Sequence, residues 1–290
     1  MRISLKNIFL VAGREYVKWL ANPRMVLLLV LCIPVREVII VPMIKAAAEI
    51  SQPLNIVETC IAATNSGLLL MLLPLVYFVL ISPFPTIDGS TFFYISRMER
   101  RNWILGEILF QFMASFSYCV LVILMTLVQS VSVSFVSNGW SIAVTDYDKL
   151  SDGASGFHMK QVLPPNLFYQ MAPYKAFFLS FLLLALFILL CSMFMMLGAV
   201  YNRKMLFFIL LCIQLVAGYA LCELERFFMW FLPFRHMVLS MHYHVYLREY
   251  VFPPWGSITV FLVLLMIEMI VGCHKAKKVS LDMIGGDVLS

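Results

Sequence analysis

Few side chains in this chain could do chemistry, and most of them stand where water is scarce. Arg36 and Glu37 follow Pro34 inside an apolar stretch, Met25–Ile44, about 18 Å from its start if it is helical. A charge at mid-membrane costs roughly 2.5–3.5 kcal/mol on insertion scales, so both should face protein or water. Adjacent residues do not share a helix face, so different partners are expected, with Glu107, Glu268, Gln129 and Gln214 as candidates. Arg36, Glu37 and Glu268 read as the lining of a polar pathway or a subunit interface. The plainer alternative is an ion pair inside the bundle, or snorkelling toward the outer leaflet. His236, His242 and His244 invite a metal, but on a helix His242 and His244 point about 200° apart, and no third ligand has suitable spacing. Histidines at a membrane interface, interleaved with Tyr243, Tyr246 and Tyr250, are the preferred reading. Asp146, Asp148 and Asp152 approach a calcium loop, but Leu150 replaces the oxygen donor between the acids, so Val136–Tyr174 reads as a solvated loop. The seven cysteines show no zinc or redox spacing, and only Cys60 and Cys222 approach the outer face, where a disulfide could form. There is no G-x-x-x-x-G-K-[ST], no H-E-x-x-H and no G-x-S-x-G, so this chain cannot itself bind ATP through a P-loop.

The elements that must position these residues are membrane spans. Of 290 residues, 62% are hydrophobic and 13% charged, too little polar surface for a soluble domain of this size. A crossing takes roughly 20 apolar residues for a hydrocarbon core of about 30 Å. Six stretches qualify: Met25–Ile44, Asn65–Phe84, Trp103–Phe135, Ala176–Tyr201, Met205–Cys222 and Gly256–Cys273. Backbone groups in lipid must be satisfied within the segment, and no ten-residue alternation argues for a barrel, so an all-α polytopic fold is expected. The third stretch is about 50 Å long as one helix, so it must tilt, break or project. Basic residues crowd one side, from Lys6, Arg14, Lys18 and Arg24 through Arg97, Arg100 and Arg101 to Arg203, Lys204, Lys275, Lys277 and Lys278. The positive-inside bias then places both termini in the cytoplasm. The net charge of +5 reflects that orientation; nucleic acid is not the expected partner.

Three further segments stand out. Leu5, Ile8, Phe9, Ala12, Tyr16, Trp19 and Leu20 recur at helical spacing opposite Lys6, Arg14 and Lys18, which predicts an amphipathic helix lying in the inner interface against membrane lipid. Pro83–Trp103 predicts a short helix, capped by Asp88 or Ser90 and ending in the charges Arg97, Glu99, Arg100 and Arg101. It suits either a docking surface or a stop signal. Phe227–Phe234 is too apolar for water and too short to cross, which predicts a re-entrant or interfacial segment before the last span. No repeat or linker divides the chain. One domain, 1–290, is expected, with an interfacial helix at 1–24, a six-span bundle at 25–273 and a cytoplasmic tail at 274–290.

The stretch DGSTFFYISRMERRNWILGEIL, Asp88–Leu109, resembles the ABC transporter permeases of the type-2 exporter class, with their acidic-Gly-x-Thr helix, basic turn and Ile-Leu-Gly entry into the third span. The layout of interfacial helix, six spans and outer aromatic segment is similar too, although Val136–Tyr174 is longer than usual for the class. The resemblance implies a permease in a bacterial plasma membrane, itself not an enzyme and without a cofactor. A separate ABC ATPase subunit would carry ATP and Mg, beside a second copy of this permease or a related one. By the same resemblance, Lys6–Leu20 would be the connecting helix. Asp88, Thr91, Arg97, Glu99, Arg100 and Arg101 would lie on the coupling helix. Phe227, Trp230, Phe231 and Pro233 would belong to the outer re-entrant helices. The cargo would be an unidentified peptide, drug or lipid-like molecule. Two other readings stay open at this point: an intramembrane enzyme built from His236, His242 and Glu223 or Glu225, and a membrane scaffold or sensor subunit.

Overall fold

The computed structural model describes residues 4–85, 98–151, 157–222, 227–244 and 249–276. Its first helix, α1 (Leu5–Leu20), hides Ile8, Val11, Ala12, Glu15 and Trp19, a stripe at helical spacing. Leu5, Phe9, Val17 and Leu20 are exposed, so the apolar face expected from the sequence is split in two. Asn22 accepts a hydrogen bond from the Arg24 amide at 2.9 Å, and Pro23 opens α2 (Pro23–Glu49). Pro34 and Pro42 each lack an amide hydrogen, and between them the helix widens into a π-turn over Arg36–Ile40.

The second apolar stretch departs from expectation. It is helical over α4 (Gly67–Ile81), but α3 (Glu58–Asn65) precedes it at an 80° bend, with Ser66 extended at the corner. The long third stretch is one unbroken helix, α5 (Arg100–Ser130), about 45 Å in length. Its neighbours come in series. Along its first half lies α1, held by Ser4 N–Asn102 Oδ1 (3.3 Å) and Tyr16 Oη–Ser117 Oγ (2.7 Å). Along its second half lie α2 and α3, through Cys32 Sγ–Met125 Sδ (3.0 Å), Cys60 Sγ–Thr126 Oγ1 (2.7 Å) and Thr59 Oγ1–Ser130 Oγ (3.2 Å). Thus α1 runs lengthwise beside α5. The closest approach needs Gly106, where a Cβ would come within 2.6 Å of Val11 Cβ.

The described residues of 136–174 form a packed cap instead of a solvated loop. Four short helices, α6 (Ile142–Thr145), α7 (Tyr147–Leu150), α8 (Met159–Val162) and α9 (Pro165–Gln170), bury Ala143, Val144, Tyr147, Met159, Leu163 and Leu167. The carboxylate of Glu58, itself wholly buried, accepts from the Asn55 amide (2.8 Å), the Ser141 amide (2.7 Å) and the Ser141 hydroxyl (2.7 Å). Leu54–Asn55 (β1) pairs in parallel with Ser134–Phe135 (β2), a small exception to the all-α expectation.

The remaining long helices are α10 (Pro173–Val200), α11 (Lys204–Cys222) and α13 (Pro254–Ala276), with α12 (Pro233–Met237) between the last two. The most buried of the candidate spans is α10, packed against α3, α5, α11 and α13. Its Ser192 donates to Gln111 of α5, and Tyr77 of α4 bridges Ser115 (2.9 Å) and Ser192 (3.1 Å), a polar seam through three helices. Outward faces are apolar: Leu29 and Ile33 on α2, Met205 and Ile213 on α11, Met266 and Ile270 on α13. Among the described residues, α2, α5, α10, α11 and α13 are long and apolar enough to cross a bilayer; α3 and α4 together make a sixth candidate crossing. This is a multi-pass, α-helical membrane protein. One end of the bundle carries α1, and the other carries the cap.

Candidate functional site

Arg36 and Glu37 do not find separate partners inside the bundle. They face outward, 59% and 62% exposed, with Arg36 Nε 3.8 Å from Glu37 Oε1. The π-turn explains the departure: it changes the angular step between successive residues just where both charges sit, so neighbours in sequence meet. Both stand near the middle of the 27-residue helix α2, on the same outward side as its apolar residues. None of the expected partners reaches them: Gln129 bonds its own helix at Met125 O (3.0 Å), and Glu107 is buried beside α1.

At the α1 end, Asp88, Thr91 and Arg97 lie outside the described residues. Glu99, in extended conformation, precedes α5, and Arg100 and Arg101 form its first turn; Glu99 and Arg101 are exposed. Lys204, opening α11, donates to Pro83 O (3.3 Å) and Pro85 O (2.8 Å), and Arg24 donates to Ser82 Oγ (2.7 Å) and Val79 O (3.2 Å). Both attachments of the intervening segment are therefore anchored, one by α2 and α11, the other by continuity with α5.

At the cap end, the aromatic segment is a 3₁₀ turn over Phe227–Phe231, followed by α12, which starts at Pro233. Phe231 is exposed while Met229 and Phe234 are buried, so the segment is half embedded in the protein. The segment positions a cluster that sequence spacing does not show. Wholly buried Ser257, in the first turn of α13, lies 2.7 Å from His236 Nδ1 and 2.7 Å from His242 Nε2. The far nitrogens meet carbonyls: His236 Nε2 at Trp230 O (2.7 Å) and His242 Nδ1 at Val238 O (2.9 Å). Carbonyls only accept, so each neutral imidazole spends its one hydrogen there and turns a lone pair to Ser257. The serine has a single hydrogen. Three hydrogens thus serve four contacts, and one added proton would complete the set. Burial acts against that proton: it holds His236 below the ordinary histidine value and His242 down to about 4, with Arg235 reinforcing both shifts. A missing hydrogen bond costs about 1–3 kcal/mol, and the burial shift on His242 corresponds to roughly 3 kcal/mol, so the cluster is neutral at pH 7. Trp230 stacks on Phe252 and carries the Arg235 guanidinium at 4.9 Å, shielding the group. The arrangement latches the aromatic segment to α13, with the Ser257 hydroxyl buried among the described residues.

Two cavities flank this latch. One of about 600 Å³ is lined by Asn65, Asn166, Tyr219, Arg235, Tyr243 and His244, among others. The other, about 280 Å³, lies between α10, α11 and α13 beneath Pro233, and Glu268 lines it together with Gln214. Among the described residues no group of three or more His, Cys, Asp or Glu could hold a metal. Cys60 is a free thiol beside Thr126.

No protein-family profile, curated protein or solved structure matches this chain. The sequence singled out Glu268, Trp230, Pro233 and the two histidines. It missed Ser257, Glu58 and Asn65, whose side chain accepts from the Ser240 amide (3.0 Å) and donates to Ser180 (3.2 Å). A polar residue at the edge of each apolar stretch was the available signal.

Proposed function

We propose that this chain is the membrane-spanning permease subunit of an ATP-driven exporter of the ABC type-2 class. In this reading it crosses the bilayer six times, with the α1 end and both termini in the cytoplasm. The observation that carries it is α5. One rigid helix begins at Arg100 and Arg101, is clamped by α1 along its first half, joins the polar seam at Gln111 and Ser115, and ends under the cap at Ser130. A force applied to its basic first turn reaches the opposite end without crossing a flexible joint. That suits a subunit driven by a separate ATPase, and the likeness of Asp88–Leu109 to the coupling region of that class points the same way. Energy would come from ATP and Mg on the partner, and a second copy or related permease would complete the assembly.

The test is affinity purification of the full chain from native membranes in mild detergent, with mass spectrometry of what accompanies it. A stoichiometric P-loop ATPase is expected, and Arg100→Glu with Arg101→Glu should release it while leaving membrane insertion intact. Recovery of the wild-type chain without any ATPase, or an ATPase indifferent to the double reversal, would overturn the reading.

A further inference from the structure

Two residues that line the smaller cavity each carry a polar atom with nothing to bond. Glu268 Oε2 and Gln214 Nε2 are both shut off from solvent and without a hydrogen-bond partner. Both side chains line the same space of about 280 Å³, whose other walls are apolar, among them Leu190, Phe194, Leu211 and Leu264. Leaving such groups unpaired is costly, and a site near the middle of two long apolar helices offers no bulk water to compensate. The walls also include Leu210 and Ile267, which are exposed on the outward faces of α11 and α13. The cavity therefore communicates with the side of the bundle that faces lipid.

We propose that this cavity is a binding site for a membrane-borne amphiphile with an apolar chain and a neutral amide or hydroxyl group, admitted sideways between α11 and α13. The chemistry selects that class. The chain fills the apolar walls. The polar group must satisfy an amide and a carboxyl together, and a group that both donates and accepts does so whichever way the Gln214 amide is turned. An ammonium only donates, so it would leave the Gln214 nitrogen bare. A pure hydrocarbon would leave both polar groups bare. Occupancy of the site stands independently of the transporter reading; that the occupant is the cargo rests on it.

The test uses the full-length chain alone, without any ATPase, in phosphatidylcholine nanodiscs, with radiolabelled decanamide as probe and decylammonium as comparison. Decanamide should bind saturably. Glu268→Leu and Gln214→Leu should each weaken it about tenfold, the loss of one buried hydrogen bond. Glu268→Gln, which keeps the side chain's shape and an acceptor oxygen, should bind close to wild type and so separates recognition from folding. Leu210→Trp, placed at the lipid-facing opening, should block uptake. Non-saturable partition equal in all variants would overturn the proposal, and so would saturable binding of decylammonium but not decanamide. Neither result bears on whether an ATPase co-purifies.

Discussion

Ser257 shows how much one hydroxyl can hold. Two imidazoles that sequence spacing gave no reason to join meet on it, and their outer nitrogens are tied to Trp230 and Val238. The folded cluster resists protonation while the unfolded histidines accept it near pH 6.5, so the unfolded state binds more protons in acid. Stability is therefore full above pH 6.5 and declines as pH falls toward about 4, the value at His242. Thermal unfolding in nanodiscs should show the midpoint dropping over that window, and His242→Gln should flatten the profile relative to wild type. Ser257→Ala should lower stability at pH 7 by roughly 1–3 kcal/mol, because the one imidazole lone pair that the hydroxyl serves loses its donor. An unchanged midpoint in Ser257→Ala would remove the latch. None of this was visible in the chain alone: His236, His242 and Ser257 come from three segments whose approach is a tertiary event. Glu268, by contrast, was conspicuous from its type alone, since a carboxyl inside an apolar run is rare whatever surrounds it.

Among the elements, α1 and α5 are the most tightly engaged pair. The clamp has polar contacts at each end, Ser4–Asn102 and Tyr16–Ser117, and a bare backbone at Gly106 between them. Gly106→Ala should push α1 away, since the new methyl would sit 2.6 Å from Val11 Cβ and 3.1 Å from Ile8 O. A destabilisation of about 1–3 kcal/mol is expected, with faster proteolysis of α1 as the direct readout. Proteolysis at the wild-type rate would show that the helices can part without loss. The helical face of α1 was readable from its periodicity, and so was the excess length of the third stretch. Which of two apolar faces turns inward was not, because Leu5 and Ile8 are equally apolar and only the groove on α5 chooses. The 80° corner at Ser66 was equally hidden, since Asn65-Ser66-Gly67 reads as the polar edge of a span and its tertiary anchors at Ser180 and Ser240 lie far downstream.

For the molecule as a whole, the outward surface poses a question of its own: a charged pair exposed halfway along α2. A second copy facing it across a two-fold axis would set each Arg36 against the other chain's Glu37. Arg36→Cys, in a chain otherwise free of cysteine, should give an oxidant-induced dimer in native membranes, while buried Ile39→Cys should not. Equal, weak dimer yields at both positions would place the pair against lipid or a pathway instead. The long apolar helices were legible because hydropathy is additive along the chain; the cap was not, because its burial depends on Glu58 and Glu49 arriving from elsewhere, the latter accepting from Tyr147 Oη at 2.7 Å. One contact at the α1 end also bears on biosynthesis. Lys204 grips Pro83 and Pro85 across separations of 121 and 119 residues. The ribosome must therefore release the helices from α5 to the start of α11 before that grip can form. Any partner that reads this surface will find it finished only once Lys204 has left the ribosome, which spares it from capturing shorter nascent chains.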